Sequence, residues 1–190
     1  MKIIVLIFLL FASISSAFAQ EDIGLKYPPL ISEKISSEIV LDGILDEDVW
    51  STGEWAMDFY QFFPSDTSLA KAQTKVRIVY DDKFLYIAAV MDNLGPRDRY
   101  VSTSLRRDFR GEQNDGISFV FDTFNDNTNA FQFGVNPYGV QRESLIANGG
   151  MSGGDLNLAW DNKWYSSVKR LEDRWIAELA IPFKSFRYNQ

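Results

Sequence analysis

The sequence predicts an all-β fold, an antiparallel β-sandwich with one short N-terminal helical turn. Three observations predict it. Apolar residues recur at alternate positions over short runs, as in half-buried strands. Polar turn signals separate those runs at short, regular spacing. Helical periodicity is scarce, with residues 46–50 and a short piece near Leu105 as the candidates.

Residues 75–80 alternate, with Val76, Ile78 and Tyr80 on one face and Lys75, Arg77 and Val79 on the other. Asp81-Asp82-Lys83 is polar turn material, and 84–90 follows as a second strand, completing a hairpin. Residues 117–121 and 130–135 are two further strands. Asn136-Pro137-Tyr138-Gly139 suits a β-turn, with Pro at its second position and Gly at its end. Residues 140–146 return from that turn. Residues 164–169 and 175–181 form a last pair around Leu171-Glu172-Asp173. The segments 92–116 and 147–162 are long, polar loops of the kind that carry binding groups in a sandwich.

The N-terminus stands apart. Lys2, an apolar run at 3–11 and Ala17-Phe18-Ala19 read as a secretory signal peptide over 1–19. The run is too short for a bilayer span, which takes about 20 residues. Residues 20–38, with Pro28-Pro29, are expected to be a leader, and 39–190 the folded domain. Export to the periplasm, outer-membrane surface or medium follows, with no transmembrane helix in the mature chain. The formal net charge is −7, and loss of Lys2 makes it one unit more negative. That disfavours nucleic acid, which needs clustered Lys and Arg. There is no cysteine, so no disulfide framework exists, and no histidine, so serine–histidine catalysis and histidine metal sites are excluded by composition. Oxygen chemistry remains: carboxylates for calcium or magnesium, or a carboxylate pair for glycoside cleavage.

The stretch LDGILDEDVW at 41–50 holds four acids. Asp42-Gly43 signals a turn. Asp46 is placed to cap a short helix, Glu47 and Asp48 suit its first turn, and Val49 and Trp50 would be buried. Asp122 and Asp126 lie in an oxygen-rich loop that superficially resembles a calcium loop but lacks the glycine and final glutamate of an EF-hand. Aromatics cluster at Trp55, Phe59, Tyr60, Phe62 and Phe63, and again at Trp160 and Trp164. A loop tryptophan offers a flat face to a sugar ring while polar side chains bond its hydroxyls. Trp160 and Trp55 are the candidate platforms. Arg106, Arg107, Asp115, Gln132, Asn136 and Arg142 are the candidate polar contacts.

Taken in order, LDGILDEDVW, TKVRIVYDDKFLYIAAVMDN, NDGISFVFDT, FQFGVNPYGVQ and WIAELAIPFKSFR resemble carbohydrate-binding module family 9, over roughly 39–188. The resemblance is to the version at the N-terminus of long Gram-negative surface proteins with an uncharacterised C-terminal region. It implies a DOMON-like, jelly-roll-type sandwich that binds oligo- or polysaccharide without catalysis, structural calcium, an association with glycoside hydrolysis through a parent protein, and a partner region beyond this sequence. The residues leave three rivals: an interaction module with no ligand, haem held by Met57, Met91 or Met151, and a glycosidase using two of Asp108, Glu112 and Asp115.

Overall fold

The computed structural model describes residues 29–64, 67–95 and 100–187. The signal peptide at 1–19 and the leader up to residue 28 lie outside the described residues.

Two sheets face each other. The first has the order β1-β2-β3-β9-β8, from β1 (Glu33–Lys34), β2 (Thr74–Tyr80), β3 (Phe84–Asp92), β9 (Arg174–Pro182) and β8 (Tyr165–Arg170). The second has the order β4-β5-β6-β7, from β4 (Ile117–Phe121), β5 (Ala130–Val135), β6 (Gln141–Ile146) and β7 (Leu156–Asn157). Every pairing is antiparallel except β1 with β2. The predicted sandwich and its hairpins are present. The 81–83 turn is built by Asp81, whose Oδ1 accepts from Lys83 N and Phe84 N at 2.6 and 2.7 Å.

The inter-sheet core follows from alternation. Val76, Ile87, Ala89, Met91, Trp175, Ala177, Leu179 and Ile181 point from the first sheet toward Phe131, Phe133 and Val135 of the second. Phe133 sits at its centre, with the rings of Trp160, Trp164 and Phe186 at centroid distances of 5.7, 5.5 and 5.6 Å. Aromatic pairs at such distances add to the stabilisation from burial alone.

The outward face of the first sheet departs from expectation. Alternation assigns Lys75, Arg77 and Val79 to a second, polar-leaning face, yet Arg77 and Val79 are buried. A second apolar cluster explains it. Ile39, Val49 and Trp50 pack on Val79 and Ala88, with Ile35, Leu41, Leu45 and Trp55 around them. Residues 35–55 thus lie over the sheet as a cover. The leader expectation is corrected here: Glu33–Lys34 pairs with β2, Ile35 N donates to Tyr80 O, and Ser32 Oγ donates to Ile78 O.

A buried carboxylate latches the cover. Glu178 of β9 points outward beneath residues 42–43, and Oε2 accepts from Asp42 N at 3.1 Å and Gly43 N at 2.7 Å. Gly43 has φ +81°, and a Cβ there would press on Lys169 Cβ, so both the turn and the close approach require glycine. Asp46 does not cap the helical turn. The turn is α1 (Asp48–Ser51), its N-cap is Glu47, and no side-chain cap bond forms. The Glu47 side chain instead accepts from Val40 N at 2.8 Å, bracing the cover. The expected helical piece near Leu105 is absent, and a 3-10 turn at Gly111–Gln113 is present instead.

Burial pushes the Glu178 carboxyl up to about 7, against the pull of the two backbone N–H groups and with help from the charges of Glu47 and Asp42. Between the ordinary value of 4.5 and about 7 the folded state holds a proton that the unfolded chain has lost. Stability is therefore full below that window and falls as pH rises through it, by on the order of 3 kcal/mol. Urea unfolding across the window should show this slope, and Glu178→Gln, which keeps an acceptor for the two N–H groups, should flatten it. Trp50→Ala should cost about 3–5 kcal/mol, since the ring is buried in the outer cluster; chemical denaturation reads it directly.

Candidate functional site

The predicted site residues do not converge. Gln132 and Arg142 share the outward face of the second sheet, where Gln132 is opposite Ser144 and Gly134 opposite Arg142. Gln132 Oε1 accepts from Ser144 Oγ at 2.8 Å. Arg142 is buried beside Gly111, where any Cβ would collide with its guanidinium. Asn136 is fully buried, its Oδ1 accepting from Tyr138 N and Val140 N and its Nδ2 donating to Ser102 Oγ. It braces the 136–139 turn and has no surface left for a sugar. Asp115 pins its loop: Oδ2 accepts from Val101 N at 2.7 Å. Arg106 is exposed on that loop.

Trp160 is corrected more strongly. It was expected as an exposed platform, but it is half-buried with its ring on Phe131 and Phe133, at 5.4 and 5.7 Å. The sheet interior takes up the ring because the 147–162 loop folds back over the edge of β6 through β7.

Arg107 closes that edge. Nε and Nη2 donate to Glu143 Oε1, Nη1 donates to Gln141 Oε1 at 2.7 Å, and Nη2 also donates to Asn162 O at 2.9 Å. Glu143, fully buried on β6, also accepts from Trp164 Nε1 at 3.2 Å and Asn162 N at 3.2 Å. Burial pushes the Glu143 carboxyl up, while the Arg107, Trp164 and Asn162 donors pull the other way. The network ties the second sheet to the 161–166 segment entering the first. Outside it lies an open polar depression of about 440 Å³ lined by Arg107, Asp161, Asn162, Lys163 and Trp164. Trp164 is only 4% exposed, so the depression has no aromatic platform.

Asp122 and Asp126 turn their carboxylates inward. Asp122 accepts from the N–H groups of Phe124, Asp126 and Asn127, and Asp126 from those of Thr128 and Asn129. The Asn129 side chain and those N–H groups hold Asp126 well below the ordinary carboxylate value. Oxygens spent on backbone donors do not fit a calcium cage. Among the described residues, no group of three or more acids is placed to hold a metal. The glycosidase acids are no better placed: Asp108 Oδ1 accepts from Glu143 N, and Asp115 is spent on Val101. The side chain of Glu112 lies outside what the structure describes. Met91 is in the core, whereas Met57 and Met151 are exposed, on a groove wall and on the 148–151 turn respectively.

Trp55 lies elsewhere. It packs on the edge of the outer cluster and lines a groove of about 1010 Å³ on the outward side of the first sheet, where the cover stops. Met57, Phe59 and Tyr60 form its apolar wall, Val90 lies beneath, and Glu54, Asp58, Lys75 and Arg174 place charges around it. Phe59 and Tyr60 are each about two-fifths exposed. The wall is a ribbon in which Tyr60 pairs with Leu69, Ala70 N donates to Phe59 O, and Gln61 N to Ser68 O. The aromatic run at 59–63 is visible in the sequence, but nothing local shows that it lines a groove with Lys75 and Arg174.

No protein-family model and no curated protein matches the chain. Among solved structures, it is similar to a carbohydrate-binding module of family 9 from Caldicellulosiruptor kristjanssonii in complex with cellotriose. The TM-score is 0.54 at 19% identity, over 81% of this chain and 67% of that one. A family 9 module from the same organism in complex with glucose gives 0.53 at 18%, over 83% and 71%. The chain therefore has the family 9 sandwich fold, as the ordered motifs implied. Among the described residues, no helix is long and apolar enough to cross a membrane.

Arg107→Ala would leave Glu143 buried with its strongest partner gone. We expect a loss of about 3 kcal/mol by urea denaturation, and recovery of part of it in Arg107→Ala combined with Glu143→Gln.

Proposed function

We propose that this chain is an exported, non-catalytic carbohydrate-binding module whose ligand lies in the Trp55 groove. The observation that carries the reading is the groove itself: three aromatic side chains in a channel rimmed by four charged ones, on a fold shared with modules solved with cellotriose and glucose. Aromatic rings stack on the C–H faces of pyranose rings, and Glu54, Asp58, Lys75 and Arg174 supply acceptors and donors for hydroxyls. The volume is at the upper end for small-ligand sites, which suits a short oligosaccharide better than a single ring. A longer envelope protein carrying this domain would be delivered to glycan by it.

A second reading, an interaction module with no sugar of its own, is favoured by one observation. Trp160 is taken up by the core and the predicted polar contacts are scattered.

Calorimetric titration of the exported chain against cello-, xylo- and manno-oligosaccharides separates the two. Binding to at least one series is expected. Trp55→Ala should weaken it by about tenfold or more, and Gln132→Ala, on the other sheet, should leave it unchanged. No heat with any series would favour the interaction module.

A further inference from the structure

Among the described strands, three of the four sheet edges carry a feature that discourages pairing with another chain. β1 and β7 are two residues long, and β8 ends in Lys169 and Arg170. Short edges and charged edges are the usual protections against strand addition. β4 has neither. Its sequence ISFVF holds no charge, proline or glycine, and its register with β5 is unbroken from Ile117 to Phe121. On its outward face Val120 is 55% exposed and Ser118 is exposed too. Beside it an apolar cleft of about 430 Å³ opens between the sheets, lined by Val76, Ile78, Ile117, Phe119, Leu30 and Phe59 among others.

We propose that two copies of this chain pair through β4, antiparallel about Phe119, joining their four-stranded sheets into one. In that register Ile117 meets Phe121 of the second copy, and Ser118 meets Val120. The inward row stays apolar and the outward row small, so each face is self-complementary. Charge favours a second copy here above other places on the molecule. The chain is strongly acidic as a whole, but β4 is uncharged, so self-pairing sets no like charges opposite each other. The nearest acids, Asp115 and Asp122, fall opposite Thr123 and Gly116 of the other copy. Main-chain hydrogen bonds supply affinity, as in other strand additions, and the two clefts meet along the joined edge. This does not rest on the glycan reading, since β4 and the Trp55 groove belong to different sheets, though Leu30 and Phe59 line both the cleft and the groove.

Sedimentation velocity of the exported chain over a wide concentration range tests it, together with amide hydrogen exchange of β4. A reversible dimer is expected, with β4 amides better protected as concentration rises. Val120→Lys and Ser118→Lys, both on exposed side chains, should raise the dissociation constant by about tenfold or more with unchanged melting temperature. A chain that is monomeric throughout overturns the proposal. So does a dimer that survives both lysine variants, or one lost in Phe62→Ser, which would move the interface to the aromatic ribbon. Should the lysine variants fail to fold, exchange in the unaltered chain decides, and β4 protection that ignores concentration overturns the proposal.

Discussion

The carboxylate of Glu178 under the Asp42–Gly43 turn is the contact on which the rest is arranged. A central strand of a five-stranded sheet presents a charge-bearing side chain on its outward face, and an uncovered face would simply let water reach it. Here the face is covered by residues 35–55, so two backbone N–H groups must meet the carboxylate instead. One oxygen, Oε1, is left buried without a partner among the described residues. Such a group destabilises the fold unless the apolar burial around it outweighs the desolvation cost. Trp50, Val49 and Ile39 supply that burial. Their position in turn sets where the cover ends, hence where Trp55 stands and where the groove opens.

Glu143 solves the same problem by different means. It too is a fully buried acid on a strand, but it lies at the sandwich edge, within reach of a guanidinium entering from a loop. Planar Arg107 matches its oxygen through two N–H groups and reaches Gln141 and Asn162 with the others. Arginine suits this role because its donors are fixed in a fork. The residue reads as a ligand contact in the sequence and acts as a clasp in the fold. Both sheets thus depend on a buried acid: alternation alone would have placed Glu178 in water, and it places Glu143 on the core side opposite Phe133.

Strands were legible wherever a period of two was uninterrupted. β4 and β5 have the bounds that alternation gives, and β2, β3 and the 136–139 turn nearly so. What was not legible is long-range. Nothing in KVRIVY shows that Arg77 is covered, because the groups that cover it, Glu33 and Glu54, are 44 and 23 residues away. Asp46 reads as a cap from its position, but Glu47 takes the N-cap place and spends its carboxylate on Val40. Trp160 reads as a platform because loops are usually exposed; it is half-buried because β7 draws the loop onto the core. Asp122 and Asp126 read as metal ligands by composition, and the loop uses the same oxygens on its own N–H groups. Glu143 was missed, although a charged residue between Arg142 and Ser144 in a strand facing Phe133 was a signal that a partner must come from elsewhere.

The latch also constrains the order of assembly. Its two halves are separated by nearly the whole domain, so a chain made from its N-terminus must hold the LDG turn without its acceptor until β9 emerges. At synthesis rates of about 5–20 residues per second, that wait lasts roughly ten seconds. Ile39, Val49 and Trp50 can meet Val79 and Ala88 well before then, but the latch itself waits, since contacts of such sequence separation form late and slowly. Completion of β9 is therefore the step that turns a loose hairpin assembly into a closed domain.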